Sequence, residues 1–112
     1  MRVRQALPSD ISTIVRTMTA AYEKYEPHMD RPPGPVLDDY AHRIASDEAF
    51  VATNTESISG VIFLIEAVDH LLLDNVAVDP AMQGRRIGRH LVDFAKAKAR
   101  CRGFSKIRLY TH

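Results

Sequence analysis

The stretch LDNVAVDPAMQGRRIGRHL, residues 73–91, decides the fold of this chain. It begins as an apolar segment typical of a buried strand, which Asp79 and Pro80 bring to an end. A loop that combines glycine with arginine follows, and a helix is predicted to start at about Ile87. The first turn of a helix leaves backbone N–H groups unpaired and carries the positive end of the helix dipole. The stretch therefore predicts an anion-binding loop for a phosphate ester.

Two well-known phosphate-binding loops do not fit this stretch. Gly84 and Gly88 do not have the separation of a P-loop, and no Lys-Ser/Thr pair follows them. The G-x-G-x-x-G order of a dinucleotide-binding turn is also absent. An alternative stays open, in which the glycine-bearing turn between strand and helix serves packing alone.

The flanking patterns predict one domain of the α/β class with a mixed sheet. Apolar periodicity indicates a strand over residues 1–7, a helix with Ser9 at its N-cap, and a helix over residues 36–44. Three strands over residues 49–53, 58–68 and 71–78 form an antiparallel meander, before a crossover helix over residues 87–101 and a last parallel strand over residues 105–111. This order places helices on both faces of the sheet.

Charge is distributed unevenly along the 112 residues. From Gly84 onward there are nine Lys/Arg and one acid, whereas the preceding part holds six basic residues and thirteen acids. A basic segment favours an anionic partner, either a phosphate-bearing ligand or nucleic acid, although a solvated helix face explains it as well. The basic helix lacks interleaved exposed aromatic residues and any recognisable DNA-binding motif, which disfavours nucleic acid.

Other features of the composition narrow the class of protein. No apolar run is long enough to span a membrane, and the N-terminus lacks an apolar signal segment. The lone Cys101 fits a reducing compartment, so we expect the cytoplasm. The five histidines show no metal-binding spacing, and no metal site is predicted.

Residues 78–88 resemble the acetyl-CoA motif of the GNAT superfamily of N-acetyltransferases. The family form is V-x-P-x-x-[QR]-x-x-G-x-[GA], and Val78, Pro80, Gln83 and Gly88 match it. The resemblance implies that the strand at Val76–Val78 bonds the pantetheine arm and that a backbone N–H near Val76 polarises the thioester carbonyl. It also implies a pyrophosphate loop, opened by Gln83 and made by Gly84, Arg85, Arg86, Ile87, Gly88 and Arg89.

The sequence departs from the family pattern in two ways. Arg86 replaces the first motif glycine, which would be unfavourable if this position has a positive φ and tolerable if it is already helical. We expect it to be helical, because Gly84 and Gly88 still flank the turn. Family members also continue past the strand ending at His112 with another helix and a hairpin. The domain over residues 1–112 is therefore expected to be incomplete at its C-terminus, with an open edge strand that pairs in a homodimer.

The resemblance implies transfer of an acetyl group from acetyl-CoA to a primary amine by direct attack. Asp74 is the preferred general base, because strand alternation would place it on one face with Val76 and Val78. A structural, hydrogen-bonded Asp74 is the alternative, Glu66 is a second choice of base, and Tyr110 is a candidate proton donor. The loop over residues 26–35 is expected to select the acceptor amine. A non-catalytic acetyl-CoA-binding module remains the alternative function.

Overall fold

The computed structural model describes residues 2–23, 40–54, 57–82 and 86–109. Within them, five strands form one sheet in sequential order: β1 (Arg2–Gln5), β2 (Ala49–Asn54), β3 (Ser57–Glu66), β4 (Leu71–Val78) and β5 (Ile107–Leu109). Neighbouring strands from β1 to β4 are antiparallel, and β5 lies parallel to β4. The helices are α1 (Ile11–Glu23), α2 (Tyr40–Ala45) and α3 (Ile87–Cys101). The predicted mixed α/β class and element order are confirmed.

The sheet carries a hydrophobic core on each of its faces. On one face, α1 and α2 pack against alternate residues of β2 and β3, with a cluster that includes Ile14, Met18, Ile44, Val51, Val61 and Phe63. On the other face, α3 covers the intervening residues, with a cluster that includes Phe50, Ile62, Leu64, Leu71, Leu91 and Ala95. Because β2 and β3 are covered on both sides, they read as nearly continuous apolar runs rather than as alternating ones.

Gly60 on β3 allows the first turns of α3 to lie close to the sheet. A Cβ at Gly60 would stand 3.1 Å from Ala77 O, from Ile87 Cγ2 and from Leu91 Cδ1. The backbone carbonyl among these atoms could not move aside cheaply, so glycine fits where larger residues would push the helix outward. This approach fixes the start of α3 beside the end of β4.

The entry to α1 differs from the sequence prediction. Ser9 does not cap α1, because residues Pro8–Asp10 form a one-turn 3-10 helix before it. Asp10 organises the turn instead: its carboxylate accepts a hydrogen bond from Leu7 N at 2.8 Å and pairs with Arg4 Nη1 at 2.8 Å. The hydrogen bond from Arg4 holds the pKa of Asp10 below its usual value.

Other element boundaries differ by a few residues. β3 ends at Glu66 rather than at residue 68, because Ala67 N donates to His70 O at 2.9 Å and closes a turn there. The described part of β5 is shorter than the predicted strand, and β5 is the last of the described strands in the sheet order. The homodimer stays a prediction. The start of the second helix and the loop over residues 26–35 lie outside the described residues.

Among the described residues, no helix combines the length and apolar character that crossing a membrane requires.

Candidate functional site

A β-bulge interrupts β4 at Asp74. Phe63 on β3 is paired with Asn75, but the next residue, Leu64, is paired with Leu73, so β4 carries one extra residue between these pairs. A bulge of this kind shifts the side-chain alternation of its strand by one residue. Leu73 before the bulge and Val76 after it therefore both pack against the core under α3, although they are three positions apart and strict alternation would place them on opposite faces.

The bulge overturns the predicted placement of Asp74. The alternation that precedes it puts Asp74 on the sheet face of α1 and α2, whereas Val76 and Val78 face α3. The prediction that these three side chains share a face is wrong, because strict alternation holds only along an uninterrupted ladder. Ala77 is buried in the core under α1 and α2.

After the bulge, every second backbone amide of β4 points away from β3. Asp79 N donates to Ser59 O at 2.9 Å, which makes this a hydrogen-bonded pair. In an antiparallel ladder such pairs alternate with pairs whose N–H and C=O groups point outward. The N–H groups of Val76 and Val78 therefore face the outer edge of β4.

Within the described residues, this outer edge has no strand beside it from Asp74 to Val78. The pairing of β4 with β5 covers Leu71–Leu73 only, and Leu71 N donates to Lys106 O at 3.1 Å. The bulge thus marks the point where described strand pairing stops and outward amides begin. A ligand with amide groups could bond this edge as another strand would.

The start of α3 provides backbone donors next to this edge. His90 N bonds Arg86 O at 3.1 Å, which leaves the N–H groups of residues 87–89 without an acceptor within the helix. Gly88 lies against the end of β4, since a Cβ there would be 3.8 Å from Val78 Cγ2. Ile87 is buried under the helix, and Arg89 is exposed. Binding of the pyrophosphate at the helix start stays a prediction.

The expectation of a helical Arg86 is wrong. Arg86 has φ 60° and ψ 26°, which is the left-handed region that the family motif fills with glycine. The neighbouring Gly88 does not adopt a positive φ in its place. A non-glycine residue there costs about 1–2 kcal/mol. Its side chain is exposed, so the guanidinium remains accessible to an anion.

Arg43 of α2 is a site residue that sequence reasoning missed. Its Nη2 donates to Asp74 Oδ2 at 2.8 Å, its Nη1 lies 3.6 Å from Glu48 Oε1, and its Cζ stands 5.9 Å from the Phe63 ring centroid. The Arg43 and Asp74 side chains are 17% and 18% exposed, which makes this a half-buried ion pair. One oxygen of the best base candidate is thus already bonded to a cation.

Asn75 was also missed. Its Oδ1 accepts a hydrogen bond from Val76 N at 2.9 Å. Two consecutive polar residues, Asp74 and Asn75, in an otherwise apolar strand were the only signal in the sequence for this irregular stretch.

The second-choice base, Glu66, lies away from this region. It is paired with Leu71 at the other end of β4, and its two carboxylate oxygens accept hydrogen bonds from Arg102 at 2.7 and 3.2 Å. Four predicted site residues lie outside the described residues, namely Gln83, Gly84, Arg85 and Tyr110. A search of the described part of the chain finds no group of side chains suited to a metal ion.

The family of the chain follows from the match of its sequence. A family model for the acetyltransferase (GNAT) family matches residues 13–112. The chain belongs to the GNAT family of acetyltransferases. A search among curated proteins finds no significant match for this GNAT chain.

Solved structures confirm that the fold is that of GNAT proteins. The PaiA N-acetyltransferase from Thermoplasma acidophilum, in complex with coenzyme A, is similar with a TM-score of 0.85 and 16% identity over 99% of this chain and 79% of that chain. A GNAT acetyltransferase from Listeria monocytogenes gives a TM-score of 0.80 and 19% identity over 96% and 74%. The ribosomal-protein-alanine N-acetyltransferase from Brucella melitensis biovar Abortus gives 0.76 and 18% over 100% and 81%.

The left-handed conformation of Arg86 predicts that Arg86→Gly stabilises the protein. Glycine removes the steric cost at φ 60° but gives the unfolded chain more freedom, so we expect a net gain of about 0.5–1 kcal/mol. Urea denaturation measures the free energy of unfolding. The matched control is Arg89→Gly, an exposed arginine inside α3, which should destabilise by about 1 kcal/mol. A loss of stability in both variants would contradict the assigned conformation.

Proposed function

We propose that this GNAT chain is an N-acetyltransferase, which transfers the acetyl group of acetyl-CoA to a primary amine by direct attack. The observation that carries this proposal is the outward-facing edge of β4 from Val76 to Val78, set directly beside the start of α3. Acetyl-CoA joins an amide-bearing pantetheine arm, which fits the strand edge, to a pyrophosphate, which fits the start of the helix. Family membership and the coenzyme A bound to the Thermoplasma acidophilum protein support the same donor.

In the proposed donor site, the strand binds one part of acetyl-CoA and the helix binds another. The pantetheine amides bond the outward N–H and C=O groups of Val76 and Val78, and Ala77 keeps the strand attached to the core behind them. The pyrophosphate lies on the free N–H groups of Ile87, Gly88 and Arg89, where the helix dipole favours negative charge. Gln83, Gly84, Arg85 and Arg86 complete this loop in the proposal.

The proposed reaction needs a neutral amine and a polarised thioester. Deprotonating an amine of pKa about 10.4 at pH 7 costs about 4.6 kcal/mol. We assign proton acceptance to Asp74, acting through water with Oδ1, because Arg43 bonds the other oxygen. The Val76 N–H polarises the carbonyl. The amine nitrogen then bonds the acetyl carbon, the carbon–sulfur bond breaks, and Tyr110 gives its phenolic proton to the departing thiolate. The nitrogen loses its second proton as the amide forms, and this proton restores the Tyr110 phenol through water.

One observation favours a second function. An arginine that bonds a carboxylate holds it in place, which is also what a purely structural Asp74 would require. A non-catalytic acetyl-CoA-binding module would keep the donor site and lack the proton transfer. Substitution of Asp74 separates these two functions.

Two further proposals concern the cellular location and the oligomeric state of the protein. We propose the cytoplasm as the location, because Cys101 is an exposed free thiol and suits a reducing compartment. We also propose that β5, at the edge of the sheet, pairs with a second copy of the chain.

Donor binding is tested by thermal unfolding with acetyl-CoA. A ligand at about 100 times its Kd stabilises by about 2.7 kcal/mol, which raises the Tm of a domain of this size by several degrees. Gly88→Ala should keep the shift, since its Cβ stands 3.8 Å from its nearest neighbour. Gly88→Trp should lose the shift, because the indole fills the space beside the strand edge. The absence of a shift in folded wild-type protein would refute the proposed donor.

The role of Asp74 is tested by Asp74→Asn. If the carboxylate accepts the proton of the amine, kcat falls about 10²- to 10⁴-fold while the Kd for acetyl-CoA stays unchanged. Release of coenzyme A thiol is measured with a panel of primary amines that covers polyamines and peptide N-termini. Asp93→Asn, which makes the same change at an exposed carboxylate on α3, serves as the matched control. A kcat within threefold of the wild type would assign Asp74 to structure alone.

A further inference from the structure

The Asn75 side chain accepts a hydrogen bond from the backbone N–H that the proposed reaction uses. The Val76 N–H points outward from the sheet, and Asn75 Oδ1 accepts its hydrogen bond at 2.9 Å. A backbone N–H in a half-buried position needs an acceptor, so this contact satisfies a group that the bulged ladder does not satisfy. The Val76 N–H cannot form a hydrogen bond of full strength with two acceptors at once.

The next outward amide of β4, that of Val78, has no side-chain acceptor on the residue before it. Val78 N–H also faces the outer edge of β4, but the residue before it is Ala77, whose methyl group cannot accept a hydrogen bond. The side-chain acceptor therefore stands beside Val76, the amide at the bulge, and not beside Val78.

We propose that Asn75 is a positioning residue that holds the Val76 N–H and gives it up to the carbonyl oxygen of the acetyl thioester. This inference rests on the proposed function, because it presumes acetyl-CoA at the edge of β4. The exchange replaces one hydrogen bond of Val76 by another and requires the Asn75 side chain to rotate away from the Val76 N–H. Asn75 thus makes the site respond to the acyl group, which carries the carbonyl, and not to the thiol of free coenzyme A.

The exchange has a measurable consequence for the two forms of the cofactor. Acetyl-CoA has to displace Asn75 Oδ1 to bond Val76 N–H, whereas coenzyme A has no thioester carbonyl and leaves the contact in place. Removing the side-chain acceptor should therefore favour acetyl-CoA alone. Because a hydrogen bond contributes a net 0.5–1.5 kcal/mol, the expected change is about two- to tenfold in Kd.

The test compares the Kd of acetyl-CoA with that of coenzyme A by isothermal titration calorimetry, using the full chain. In Asn75→Ala, the ratio of the Kd for acetyl-CoA to that for coenzyme A should fall about two- to tenfold. In Asn75→Asp, which keeps the shape of the side chain, the ratio should rise about tenfold, since a charged acceptor holds the N–H more strongly. Asn54→Ala, at the end of β2, is the matched control and should leave the ratio unchanged.

The outcomes distinguish failure of this inference from failure of the proposed function on which it rests. Opposite changes of the ratio in the two Asn75 variants support the exchange. If the wild type binds both ligands and neither variant alters the ratio, the inference is overturned and donor binding stands. If Asn75→Ala does not fold, the near-isosteric Asn75→Asp decides alone, and an unchanged ratio overturns the inference. If folded wild-type protein binds neither ligand, the proposed function fails and the inference fails with it.

Discussion

The extra residue that β4 carries opposite Phe63 governs the chemistry of this GNAT chain. Before it, β4 pairs with β3 on one side and with β5 on the other. Beyond it, the alternation has shifted by one residue, so that Val76 and Val78 face α3 while Asp74 faces Arg43, and the amides of Val76 and Val78 point to the outer edge. An irregular strand that is still bonded to β3 can offer backbone donors to a ligand without losing its place in the core.

The second half of the site depends on how closely α3 approaches the sheet. Gly60 leaves no side chain between β3 and the first turn of the helix, and Leu91 packs into the space below. The N–H groups at the start of α3 that have no acceptor within the helix therefore lie beside the outward amides of β4. The turn that joins the two elements includes Arg86 in a left-handed conformation, a strain that the packing of α3 overcomes. Backbone geometry, more than any single side chain, shapes this surface.

The sequence was sufficient for the elements and for the cofactor motif, because both depend on local patterns. β4 and α3 have the predicted bounds, since an apolar strand closed by Asp79-Pro80 and an amphipathic helix that ends before Gly103 leave little choice. Asp74 was misplaced because a bulge depends on pairing with another strand, which alternation along one strand does not reveal. The contact of Arg43 with Asp74 joins residues 31 positions apart, a separation that no spacing rule covers. Arg86 was misjudged because nearby glycines were taken to absorb the turn.

The central claim is that acetyl-CoA bonds the outer edge of β4, and amide hydrogen exchange followed by NMR tests it most directly. Val78 N–H points outward, whereas Ala77 N–H points to β3, so adjacent residues serve as probe and internal control. The account predicts that acetyl-CoA slows exchange at Val78 by an order of magnitude or more beyond any change at Ala77. Equal protection of both amides, or protection confined to the far end of α3 near Arg102, would contradict it.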